Sequence, residues 1–279
     1  MLPVPVSRLV EELLAGLDRA LPGRIEGLYV VGSASMGAFR LGRSDVDFVA
    51  IVDRDLTRRE LARLRAVHLG RWTSALVHDG ALGRRWPLVC NGIYVRSTHL
   101  ANPPLTVTPV ACHASGRFRI APHDDFEVNP VTWHTLAANG IAVRGPGRER
   151  LRIHTDDNEL RRWTRGNLNS YWRRWVERAR RPGVREAVLD RRFTTAGVLG
   201  APRLHYTIAT GEIASKEEAG AHALEVFDPR WRPLIEDALG WWRIEPSPSP
   251  SPGTTGRRRR RADAADFVSH VIDAGIALP

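Results

Sequence analysis

Two aspartates separated by a single residue, Asp45 and Asp47, are the side chains best placed for chemistry in this sequence. They stand in Ser44-Asp45-Val46-Asp47, which leads into the apolar run Phe48-Val49-Ala50-Ile51-Val52. Side chains two apart on an extended strand point to the same side, so both carboxylates should face one small volume. Like charges held that close repel unless a cation lies between them. Carboxylate oxygens are hard ligands that suit Mg²⁺, and magnesium bridging carboxylates and a triphosphate serves in-line displacement at phosphorus. Upstream, Leu28 to Val31 is a short apolar run ending in Gly32-Ser33. Glycine lets the backbone approach a ligand closely, and a serine hydroxyl beside backbone N–H groups can hold a phosphate oxygen. Asp-x-Asp alone is a common polar strand entry. Following a strand and a Gly-Ser turn, it becomes a candidate metal-binding and catalytic pair.

The elements that must position these residues follow from periodicity. Ser7 to Leu21 reads as an amphipathic helix capped by Ser7. Asp45 to Val52 reads as a strand, and Thr57 to Leu69 as a helix. Leu76 to His78, Leu88 to Val95 and Leu105 to His113 are further strand candidates. Val131 to Ala138 reads as a short helix, and Ile141 to Arg144 before Gly145-Pro146-Gly147 as the end of a domain. Asp156 with Glu159 resembles a capping pair opening a long helix to about Arg181. Helices are expected over Glu186 to Thr210, Ser215 to Val226, Pro229 to Trp242 and Ala262 to Ala274. Between the last two lies the low-complexity tract Pro246 to Gly256, expected to be extended and mobile. A mixed half followed by an all-helical half predicts two domains meeting near residue 150.

Composition narrows the class. With 43% hydrophobic and 26% charged residues the 279-residue chain is globular, not disordered or fibrous. No apolar run is long enough to span a membrane, and the N-terminus lacks the cationic start of a signal peptide. Cys90 and Cys112 make neither a disulfide framework nor a metal spacing, so reduced core cysteines and a cytoplasmic protein are expected. The net charge of +10 admits nucleic acid, a membrane surface or an anionic substrate such as a nucleotide. Arg257 to Arg261 supplies five of those charges in one run, read as a solvated charged loop. Lys216 is the only lysine among 41 basic residues, a bias that reflects composition more than function. Trp163, Trp172 and Trp175 read as core rather than as a sugar-stacking platform, and Trp241-Trp242 as interhelical packing.

Gly32-Ser33 followed by Ser44-Asp45-x-Asp47 in apolar flanks resembles the signature of the polymerase-β-type nucleotidyltransferases. Arg203-x-x-Tyr206, Thr210-Gly211-x-Ile213-Ala214-x-Lys216 and Trp231-x-Pro233-Leu234-Ile235 resemble the helical domain of the aminoglycoside 3″-adenylyltransferases, the streptomycin/spectinomycin resistance enzymes. Arg261-Ala262-Asp263 with Phe267-Val268 is similar to that family's final helix, and Ile141 to Pro146 to the segment joining its domains. The resemblance implies an α+β fold: a polymerase-β-like nucleotidyltransferase domain with a mixed sheet over residues 1–150, then an all-helical bundle over 151–279 with a Pro/Ser/Arg-rich insert at 246–261. It implies Mg²⁺-dependent transfer of AMP from ATP to a hydroxyl of a small molecule, of the aminoglycoside or aminocyclitol type. Asp45 and Asp47 would bind magnesium, and Gly32 and Ser33 would meet the triphosphate. Arg203 and Lys216 would reach the nucleotide phosphates across the cleft between the domains; Tyr206 reads as core.

Two positions depart from the pattern. The family's third carboxylate, its general base, matches Asn91 here, and an amide cannot take a proton although its oxygen could ligate a metal. His113, Asp124, Asp125 and Glu127 lie downstream as substitutes among which spacing does not choose. No acid aligns with the family's aminoglycoside-binding residues; Asp190 is nearest, out of register. Rival readings therefore stand beside adenylylation: a nucleotide-binding homologue with weak or no turnover, a nucleotidyltransferase with another acceptor, and a nucleic-acid-binding module acting through residues 246–261. A monomer without membrane contact is expected.

Overall fold

A computed structural model of the protein describes residues 2–80, 87–122, 127–181, 190–243 and 254–279. Most of the tract expected to be extended, and Asp124 and Asp125, lie outside them. The chain divides into two compact units, Met1–Asp156 and Asp157–Pro279.

The first unit is built on a six-stranded mixed sheet: β1 (Ile25–Val31), β2 (Val46–Val52), β3 (Cys90–Arg96), β4 (Ala111–Ala114), β5 (Arg117–Ile120) and β6 (Ile141–Arg144), in the order β5-β4-β3-β2-β1-β6. Only β2 and β3 run parallel; the other neighbours are antiparallel. Parallel neighbours need a long crossover, and the helix α3 (Arg58–Gly80) lies on it. Its predecessors are α1 (Val4–Ala20) and the single-turn α2 (Gly32–Ser35); α4 (Pro130–Asn139) follows β5. Both sheet faces are covered, so β2 reads as nearly continuous apolar sequence. Val46, Phe48, Ala50 and Val52 join Val10, Leu13 and Leu17 of α1 and Leu61 and Leu64 of α3 in one cluster. The alternate residues Val49 and Ile51 pack with Tyr29, Ile93, Trp133 and Leu136 on the α4 side.

Several sequence expectations change. Ser7 caps nothing: α1 starts at Val4 behind Pro3, with a proline in its first two positions, where the missing N–H costs no bond. Leu76 to His78 is no strand but the continuation of α3. The exposure of Leu76 and Val77 shows that three apolar residues did not mark a buried strand. Leu105 to His113 splits into a 3₁₀ turn, Pro104–Thr106, and β4, because Pro109 cannot donate to a ladder.

Among its described residues the second unit holds helices and no strand: α5 (Asp157–Asn167), α6 (Arg173–Arg180), α7 (Asp190–Thr210), α8 (Lys216–Val226), α9 (Arg232–Arg243) and α10 (Thr254–Ala277). The single helix expected up to Arg181 is interrupted by a π turn at Leu168–Trp172, between α5 and α6. Its ends, Leu168 and Trp172, both enter the core with Trp175, Phe267, Val268 and Val271. Trp172 and Trp175 lie against Gly200 and Gly197 of α7, where a β-carbon would collide with each indole, and Trp175 stacks on Phe193 at 4.7 Å between centroids. These indoles are core. The arginine run is not a loop: α10 begins at Thr254 and carries it. Arg260 and Arg261 turn inward, with side chains 16% and 12% exposed, and their Nη1 atoms lie 3.0 and 2.9 Å from the carboxylate of buried Asp190. Among the described residues no helix is long and apolar enough to cross a membrane.

Candidate active site

The carboxylate pair is placed by strand register. Ser44 closes a turn: its N–H donates to Arg40 O at 2.8 Å and its hydroxyl accepts from Arg40 N–H at 3.1 Å. Asp45 then precedes β2 and Asp47 lies in its first turn of pleat, both half-buried, while Ser44, Val46 and Phe48 are buried. That alternation sets Asp45 and Asp47 on the face opposite Val46 and Phe48. Asp47 pairs with Val31 on β1 and with Asn91 on β3, so the ends of three adjacent strands meet at one point. Gly32 follows Val31 with φ of +65°, and a β-carbon there would run into Asp47 Oδ2. Any other residue would suffer both the strained dihedral and the collision, which explains glycine beside the carboxylate. Ser33, next in α2, is half-buried, and its carbonyl accepts from Ala38 N–H at 2.9 Å. The structure thus brings Gly32, Ser33, Asp45 and Asp47 together.

Asn91 completes the group in a way the sequence did not indicate. It is 6% exposed; Nδ2 donates to Asp45 Oδ2 at 3.2 Å and Oδ1 accepts from the Ser115 N–H at 3.0 Å. A backbone N–H only donates and a carboxylate only accepts, so the two neighbours fix which way the amide faces. Its oxygen is therefore turned toward Ser115 and its amide N–H toward Asp45. Ser115 was missed as a member of the site. It sits in the tight hairpin loop Ser115-Gly116 between β4 and β5, and the Ser-Gly dipeptide was the available signal. His113 points to the other face of the sheet: it is buried, bonds Cys90 O through Nδ1 at 3.0 Å and stacks on His68 of α3 at 4.5 Å. Cys90 and Phe48 belong to the α1/α3 cluster, so His113 serves that face of the sheet. A cavity of about 480 Å³ lies there too, lined by Leu9, Leu13, His68, Trp72, Cys90 and His113.

Among the described residues, no three of His, Cys, Asp or Glu gather as a ligand set. Two carboxylates nonetheless fit Mg²⁺, which proteins commonly hold through one or two carboxylates plus substrate phosphates and water.

In the second unit Arg203 and Lys216 are brought close by one loop. Arg203 Nε donates to Ala214 O at 2.8 Å, two residues before Lys216 opens α8. Ser215 and Glu218 close that helix end as a capping box, at 3.2 and 2.8 Å. Lys216 Nζ lies 4.0 Å above the ring of Trp242. Tyr206, expected in the core, is only half-buried and donates its hydroxyl to Glu212 Oε2 at 3.0 Å. Asp190 is held by Arg260 and Arg261 and so is not an acid available to a cationic ligand.

Comparison with known proteins agrees with this architecture. The family model for the aminoglycoside adenylyltransferase C-terminal domain matches residues 178–251. Among solved structures the chain is similar to spectinomycin adenyltransferase AAD(9) from Enterococcus faecialis, whose crystal structure was determined with ATP and spectinomycin. The two share 15% identity and a TM-score of 0.62, over 94% of this chain and 98% of that one. A likeness at that identity is one of fold. No curated protein sequence matches. The family match is confined to residues 178–251, within the second unit, and the chain shares the α+β fold of that adenyltransferase along nearly its whole length.

Proposed function

We propose that the protein transfers AMP from ATP to a hydroxyl of an aminocyclitol or aminoglycoside, spectinomycin or streptomycin being the first acceptors to test. The observation that carries this reading is the convergence of Asp45 and Asp47 with Gly32 and Ser33 at the ends of adjacent strands. Asp45 and Asp47 would hold Mg²⁺, which when bound neutralises the triphosphate and activates the α-phosphorus toward attack. Gly32 leaves room for a phosphate oxygen, and the Ser33 hydroxyl donates to one. By the family resemblance, Arg203 and Lys216 would supply positive charge to the phosphates as pyrophosphate departs. The capping box orients the start of α8 and so limits where Lys216 can reach. Most of the rate then comes from positioning and charge stabilisation.

Asn91 takes no proton from the acceptor. That observation favours a second reading, a nucleotide-binding homologue with slow or no transfer. Incubation with ATP, Mg²⁺ and a panel of aminoglycosides separates the two. Transfer yields pyrophosphate and a product heavier by AMP, and Asp45→Asn or Asp47→Asn lowers that rate by roughly a hundredfold to a thousandfold, the scale of losing one preorganised electrostatic group. ATP binding without pyrophosphate across the panel selects the second reading, and no ATP–Mg²⁺ binding removes both.

A further inference from the structure

Asn91 occupies a position from which it touches both the carboxylate pair and the rim of the sheet. On one side its Nδ2 meets Asp45 Oδ2 at 3.2 Å. On the other its Oδ1 takes the Ser115 N–H at 3.0 Å. Ser115 and Gly116 form the two-residue connection of the β4–β5 hairpin, where Ala114 pairs with Arg117. Both have positive φ, 50° and 78°, as the tightest hairpin turns require at their two central residues. A non-glycine residue in that conformation is uncommon and needs support from its surroundings. The bond from its N–H to a buried amide is such support.

We propose that Asn91 is a positioning residue: its amide ties the Asp45 carboxylate to the Ser115-Gly116 hairpin turn and so sets the orientation in which Asp45 meets a divalent cation. This rests on the reading of Asp45 as a metal ligand. The chemistry of the position explains the residue. The site needs a donor toward a carboxylate and an acceptor toward a backbone N–H on one short, planar group. An amide offers both, whereas an acid in the same place has no proton to give Asp45 when ionised. With Asn91 almost removed from water, neither bond is readily replaced by solvent. An outer partner that holds a ligating carboxylate typically matters tenfold to a hundredfold in metal affinity.

The test uses the full chain with Mn²⁺ alone as probe, followed by its electron paramagnetic resonance signal, together with hydrogen exchange at the Ser115 amide. Asn91→Ala is expected to weaken Mn²⁺ binding by about tenfold and to speed Ser115 exchange. Asn91→Asp, which keeps the acceptor for Ser115 but sets a second negative charge against Asp45, serves if the alanine variant folds poorly. It is expected to retain slow Ser115 exchange, to lower Tm without metal and to regain more of that Tm with Mn²⁺ than the native chain gains. Native Mn²⁺ affinity in Asn91→Ala, or a metal-free Tm unchanged in Asn91→Asp, overturns the proposal. If the native chain binds no Mn²⁺ either alone or with ATP added, the metal reading of Asp45 fails and the orienting role toward a cation fails with it. If Mn²⁺ binds and Asp45→Asn abolishes it while Asn91→Ala does not weaken it, only the positioning role is lost.

Discussion

The two units use charge in different ways. In the first, the carboxylates of Asp45 and Asp47 are half-buried at the ends of strands, and the buried Asn91 amide braces Asp45. In the second, Asp190 is buried and gripped by two arginines from α10. Like charges brought together at half-exposed strand ends repel less when a cation lies between them. An acid buried against two guanidiniums is already satisfied and contributes to the fold instead. Exposure and partners, more than residue type, separate an acid available for chemistry from one that holds helices together.

The largest effect that would sharpen this contrast is expected at Asp190. Asp190→Asn leaves Arg260 and Arg261 with their charges and little access to water, and breaking one side of a buried pair costs about 3–5 kcal/mol. Arg258→Ala and Arg259→Ala, at exposed positions of the same helix, should change stability by less than about 0.5 kcal/mol. Chemical denaturation of the three variants measures both. Equal losses across the run would mean that the arginines act through general charge, and the distinction between the units would fail on the helical side.

What the sequence disclosed follows the same line. Asp45, Asp47, Gly32 and Ser33 were legible because strand period and turn chemistry are local: two residues apart on a strand is one face, whatever the partner strand does. The helix starting at Ser215 was expected too, although its capping box with Glu218, a contact only three residues long, was not read. Asn91 could be found as a departure from a pattern, but not as a brace, because its partners lie 46 and 24 residues away in sequence. The same holds for Asp190, whose partners are 70 and 71 residues distant. Read locally, five arginines beside a Pro/Ser tract look solvated; only the packing of α10 on α7 turns two of them inward. Leu76 to His78 misled for a different reason, since a short apolar run has no period of its own and the surrounding helix decided its state.

A smaller difference between the units is expected in acid. His68 in the first unit is buried, shares a 2.7 Å hydrogen bond with the Tyr94 hydroxyl, and has its pKa pushed down to about 3 by burial first and by His113 and Arg71 next. His205 in the second, 3.0 Å from His222, is lowered to about 4, by burial first and then by His222 and His270. Both folded pKa values lie below the unfolded value of 6.5. The unfolded chain therefore binds more protons, and stability is full above pH 6.5 and falls as pH drops toward 4 and 3. For His68 the loss between pH 7 and pH 5 is about 2 kcal/mol; for His205 it is nearly the same there, and the two part below pH 4, where His68 goes on losing stability. His68→Gln keeps a hydrogen-bonding partner for Tyr94 without titrating, and should flatten the acid limb of a denaturation series more than His205→Gln does. The reverse order would place the acid-sensitive core in the helical unit.

A small expected change in stability is the most informative for the helical unit. Lys216 lies over Trp242, a contact worth about 0.5–1 kcal/mol at a partly exposed site. Lys216→Met preserves much of the apolar stem and removes the charge, so stability should fall by about that amount or less. If the lysine also meets the nucleotide phosphates, the KM for ATP rises in the same variant, while Trp242→Phe, which keeps an apolar ring at this buried position, leaves that KM nearer its native value. A KM unmoved by Lys216→Met would assign this lysine to packing alone, and the helical unit's contribution of charge to the nucleotide would then fall to Arg203, itself tied to the same loop through Ala214.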